Sequence, residues 1–96
     1  MEFQSITPTA YMLIFDRDEC GEVIVNMSKK GLHWEIHFNQ CVNVNELIEI
    51  CNAVYAEATI GNNNLKVCLN NGNKIMIEGR DNVETAILNS IMVNSE

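Results

Sequence analysis

His33, Glu35 and His37 alternate within one short stretch, and their side-chain types could share a metal ion or a proton. In an extended chain alternate residues lie on one face, so each imidazole neighbours the carboxylate. The outer pair is another matter. At about 3.3 Å of rise per residue His33 and His37 stand about 13 Å apart, too far for both to bond one ion at about 2 Å. At most one histidine joins Glu35, and the remaining ligands would have to come from elsewhere. The trio therefore reads as a polar interfacial stripe, with no metal or cofactor expected. Imidazoles of ordinary pKa about 6.5 beside a carboxylate would make such an interface sensitive to pH.

A second constellation starts at Asp16, where acids at the first and third positions and Gly21 at the sixth resemble a calcium loop. The resemblance ends there, because Cys20 holds the fifth position and Met27 the twelfth, where a bidentate glutamate is required. Asp16, Asp18, Glu19 and Glu22 read instead as the acidic tip of a hairpin. The four cysteines, at 20, 41, 51 and 68, form no C-x-x-C pair and follow no basic-then-apolar leader. Structural thiols in a reduced, cytoplasmic setting are expected, with Cys51 on the apolar stripe of a helix. No thiol, imidazole and carboxylate fall into a catalytic pattern, and the five glycines are isolated turn residues rather than a phosphate cradle. No catalytic residues, and no enzyme, are expected.

The elements that must position these groups follow from periodicity. Residues to Thr9, including the only proline, Pro8, read as an extended lead-in. Ala10 to Asp16 is apolar on both sides through Tyr11, Met12, Leu13, Ile14 and Phe15, which implies that both faces of this strand meet some cover. Glu22 to Met27 forms the next strand, followed by a turn at Ser28–Gly31 and then Leu32, Trp34, Ile36 and Phe38 alternating with His33, Glu35, His37 and Asn39. Asn43 with Glu46 three residues on is a capping box, opening a helix with Val44, Leu47, Ile48, Cys51, Val54, Tyr55 and Ala58 on one stripe and Glu46, Glu49 and Glu57 opposite. Leu65–Leu69 and Lys74–Glu78 flank Asn-Gly and make a hairpin. Asp81 and Glu84 open a last helix to about Val93, with Leu88 and Met92 off its apolar stripe.

The 96 residues fit one α+β domain, 1–96, with element order β-β-β-α-β-β-α. Short connections favour a two-layer antiparallel sheet of about five strands with two helices on one face. The other face then carries Met12, Ile14, Ile24, Cys68 and Met76 among polar residues, provided the first strand takes that register; a shift of one residue would exchange Met12 and Ile14 for Tyr11, Leu13 and Phe15. No apolar run approaches the roughly 20 residues of a membrane-spanning helix.

Thirteen acidic against six basic residues give a formal charge of -7, which repels nucleic acid and anionic membranes and favours basic proteins. The expected function is therefore protein binding without catalysis. Met12, Ile14, Ile24 and Met76 would form an apolar centre, rimmed by His33, Glu35, His37 and the acidic tip. Immunity proteins, antitoxins and phage-borne inhibitors of host defence work in this way, by occluding a basic toxin, nuclease or nucleic-acid-binding enzyme. Glu46, Glu49 and Glu57, with Leu88 and Met92, offer a second candidate surface. The order of elements and the acidity are also similar to the core of class I type III secretion chaperones. That resemblance implies a homodimeric chaperone or adaptor as the alternative, and carries no residues over, since no sequence motif is shared.

Overall fold

The computed structural model describes residues 1–17, 21–58 and 60–94, the last three in backbone only. Strands β1 (Glu2–Thr7), β2 (Ala10–Arg17), β3 (Gly21–Lys30) and β4 (His33–Phe38) precede helix α1 (Val44–Glu57). Strands β5 (Asn64–Cys68) and β6 (Lys74–Ile77), a 3-10 turn at Arg80–Asn82 and helix α2 (Val83–Asn94) follow. One sheet holds all six strands in the order β1-β2-β3-β4-β5-β6. The α+β layering expected from periodicity is therefore present, with three differences.

The first difference is a sixth strand. Residues read as a lead-in form β1, which pairs with β2 through Phe3↔Leu13 and Gln4↔Met12. Only Phe3 of this strand is even partly buried, so its sequence carries almost no inward-outward signal. A register shift interrupts the pairing between Ser5 and Thr7. The second difference is that β4 and β5 run parallel, with Ile36 opposite Val67 and His37 opposite Cys68. The 14-residue helix α1 returns the chain to its starting end before β5 begins, as a parallel pairing requires. The remaining neighbours are antiparallel.

The β3–β4 connection also lies later than the sequence suggests. Lys30 pairs with His33, leaving Gly31 and Leu32 as a two-residue turn with Gly31 at φ 64°. Leu32, which the alternation places at the head of the strand, therefore sits 94% exposed at the hairpin apex.

One sheet face packs under both helices. Leu13, Val25, Ile36, Val67 and Ile77 from the strands meet Ile50, Val54 and Ile87 from the helices in a single apolar cluster. Met12 and Ile14 alternate with Leu13 and take the opposite face, the register assumed from sequence. Helix α1 opens with the expected capping box: the Glu46 amide donates to Asn43 Oδ1 at 2.8 Å, and the Asn43 amide donates to Glu46 Oε1 at 2.9 Å. Arg17 at the end of β2 grips the same carboxylate, Nε to Oε2 at 2.7 Å and a terminal nitrogen to Oε1 at 2.8 Å, and also donates to the Cys41 carbonyl. This bidentate pair ties β2 to the start of α1.

Gly79 precedes the 3-10 turn at φ 101°, a conformation that side chains rarely adopt. A Cβ there would lie 2.6 Å from Asn62 Oδ1, the atom that accepts the Arg80 amide at 2.9 Å. Gly79→Ala is expected to cost about 1–3 kcal/mol from backbone strain and the displaced Asn62. Urea denaturation checks this as a lowered midpoint at unchanged slope.

Candidate functional site on the open sheet face

The face turned away from the helices is built by β-pairing, since partners across neighbouring strands point the same way. Ile14 lies between Glu2 and Ile24, and Met12 between Gln4 and Asn26. Asp16 pairs with Glu22 one step nearer the β2–β3 turn. Met12, Ile14 and Ile24 are half-buried and stand outside the apolar cluster beneath the helices, whereas Asn26 beside them is exposed. The result is a short apolar strip with three carboxylates, Glu2, Asp16 and Glu22, at its margin.

Met76 does not join it. It lies on β6, four strand spacings of about 4.8 Å from β2, and its row runs through Lys66, Glu35 and Ser28 to Ala10, so Met12, two residues further along β2, is about 20 Å away. There it lines an open groove of about 420 Å³ between β6 and α2, with Glu78, Asn82, Thr85 and Asn89. The apolar centre expected from sequence thus contracts to Met12, Ile14 and Ile24. The side chains of Asp18, Glu19 and Met92 lie outside the described residues.

The second candidate surface changes too. Glu46 is only 17% exposed and committed to Arg17 and the helix cap, so it is no part of a free acidic face. Glu49 and Glu57 remain exposed on α1, as do Leu88 and Ile91 on α2.

On β4 the three polar residues form a connected cluster. His33 Nε2 donates to Glu35 Oε2 at 3.1 Å and His37 Nε2 to Glu35 Oε1 at 3.2 Å, so each carboxylate oxygen has its own imidazole. These hydrogen bonds, His33 first and His37 second, hold the Glu35 carboxyl below its ordinary value, with the Lys66 charge adding to the effect. The parallel register brings Cys68 opposite His37. Donor atoms of Glu35, His37 and Cys68 all fall within 4.8 Å of one another. Cys68 is the member that reading along β4 alone could not supply. Its signal in the sequence is the helix between the two strands, the kind of crossover that a parallel pair needs.

Cys51 and Tyr55 serve the core, whereas the Cys41 thiol, expected to be structural, is exposed. Burial among apolar groups pushes the Cys51 thiol up to about 12, which leaves it protonated and unreactive. Tyr55 is likewise pushed up to about 12 by burial, and its hydroxyl donates to the Asn63 carbonyl at 2.9 Å. No helix among the described residues is long and apolar enough to cross a membrane. No known family, curated protein or solved structure matches this chain.

Proposed function

We propose that this chain is a non-catalytic binding protein that occludes a basic surface of a protein partner, docking through the open face of β1–β3. The observation that carries the reading is the Met12–Ile14–Ile24 strip, left outside the core and edged by Glu2, Asp16 and Glu22. An apolar centre excludes water when covered, and a charged margin selects the partner and speeds encounter. Lys30, Lys66 and Lys74 lie toward the opposite end and edge of the same face, so a cationic partner is steered to the strip rather than across the whole sheet.

Ile14 and Ile24 are only half-buried, so replacing them with Ser tests the surface without emptying the core. Ile14→Ser/Ile24→Ser is expected to weaken capture of a stoichiometric basic partner at least about tenfold, a loss of about 1.4 kcal/mol or more. Raised salt should weaken the wild-type complex as well. The measurement is calorimetric titration of the partner isolated with the wild-type protein. Affinity unchanged by the double substitution, or a partner with an acidic contact surface, would overturn the proposal.

Self-association is the second reading, as a homodimeric chaperone or adaptor. It is favoured by the exposure of Leu88 and Ile91, three residues apart on α2. Sedimentation of the purified chain separates the two readings. A stable dimer dispersed by Leu88→Ser supports self-association, and a monomer that binds one copy of its partner supports occlusion.

A further inference from the structure

The geometry points to a second site on the same face, independent of the docking strip: a centre for a zinc-class divalent ion held by Glu35, His37 and Cys68. Imidazole, thiolate and carboxylate together are the donor set that Zn²⁺ accepts, whereas calcium and magnesium take oxygen ligands. The three donors come from two adjacent strands in fixed register, two from β4 and one directly opposite on β5, so the sheet itself sets their arrangement. Their atoms already lie within 4.8 Å of one another. Bonds of about 2.0–2.3 Å in tetrahedral geometry place ligand atoms about 3.5 Å apart. Side-chain rotations of about an ångström therefore close the site, with no movement of backbone.

His33 completes the arrangement from behind. Its Nε2 donates to Glu35 Oε2, which fixes the carboxylate and leaves Oε1 directed toward His37. When the ion binds, the Cys68 thiol releases one proton to solvent and its sulfur bonds the metal, while the His37 Nε2 proton passes through solvent to Nδ1, which frees the Nε2 lone pair for the ion in place of the hydrogen bond to Glu35. Two cations flank the cluster, Lys66 opposite Glu35 and Lys74 opposite Cys68. Both sit on flexible four-carbon stems that can carry the charge out to solvent. With His37 55% exposed, three protein ligands leave the fourth position open to water or to a side chain of another molecule.

The test uses the full-length chain, stripped with a chelator and kept reduced. Zn²⁺ binding is measured by calorimetry and Co²⁺ binding by absorption. The expected result is one equivalent bound, with a thiolate-to-cobalt charge-transfer band and the visible bands of tetrahedral Co²⁺. Cys68→Ser should abolish the charge-transfer band. His37→Ala, at an exposed position that the fold does not need, should weaken Zn²⁺ at least tenfold, and His33→Ala about tenfold through the freed carboxylate. Cys20→Ser/Cys41→Ser and Ile14→Ser/Ile24→Ser should leave binding unchanged. A charge-transfer band that survives Cys68→Ser, or is lost with Cys20→Ser/Cys41→Ser, would overturn the site, as would Zn²⁺ affinity indifferent to His37→Ala.

Discussion

Truncating Ile36 to alanine is expected to remove about 2–5 kcal/mol of folding stability, the range found when a large aliphatic side chain is cut back in a core that cannot collapse around the gap. Ile36 has no exposed surface and sits in the middle of the sheet, paired with Met27 on β3 and Val67 on β5. A domain of this length holds about 5–14 kcal/mol in total, so the change consumes a large share of it. Urea denaturation should show a much lower midpoint with an unchanged slope. Ile14→Ala supplies the contrast. It removes a side chain of the same size from the open face, where no helix presses on it, and should cost less than about 1.5 kcal/mol. Equal losses at the two positions would mean that the two faces of the sheet are wrongly assigned.

Glu46→Ala is the second large effect, at about 2–3 kcal/mol. One carboxylate performs two tasks here: it accepts the Asn43 amide at the head of α1 and it neutralises Arg17 at the end of β2. Loss of the cap contributes about 1 kcal/mol. The rest comes from a guanidinium only 16% exposed that loses its counter-charge and keeps only neutral acceptors, the Cys41 carbonyl among them. Glu46→Gln keeps an oxygen for the cap but loses the charge, and should cost about 1–2 kcal/mol. The same site predicts a pH dependence. The Asn43 amide first, and Arg17 after it, hold the Glu46 carboxyl below its ordinary value against the opposing effect of burial. The folded state thus favours the ionised form. Its contribution is complete above the ordinary carboxylate range and is lost as pH falls through the lowered folded-state value. Denaturation of wild type and Glu46→Gln at a series of acidic pH values should show the gap between them narrowing. A gap constant into strong acid would exclude this account.

The strands and helices whose sides differ were legible in the sequence. Trp34, Ile36 and Phe38 alternate with polar residues, and Asn43 with Glu46 announces α1, so those elements stand where periodicity and capping place them. The outward pair on β2 was not legible, because a strand apolar on both sides offers no alternation to choose Met12 and Ile14 over Tyr11, Leu13 and Phe15; the burial of Leu13 in the core makes that choice. β1 was not, for a physical reason: an edge strand exposed on nearly all positions buries too little to impose a pattern. The dispersal of the apolar centre has a different cause. Alternation tells which face Met76 occupies but not how many strands separate it from Met12, and that distance is set by strand order. The neighbourhood of His37 depends on strand direction in the same way. Alternation puts Cys68 on the open face, but only the parallel register of β4 and β5 sets it opposite His37.

The interruption between Ser5 and Thr7 in β1 bears on how the molecule behaves when crowded with copies of itself. A straight outer strand offers a regular row of unpaired amides and carbonyls, the template on which chains add laterally into fibrils. Here the row is broken before it can seed growth, Pro8 withholds a donor just beyond it, and at the far margin β6 is four residues long and begins with Lys74. Both borders of the sheet are poor seeds for amyloid-like ribbons, so the open face can carry apolar side chains at a reduced risk of aggregation.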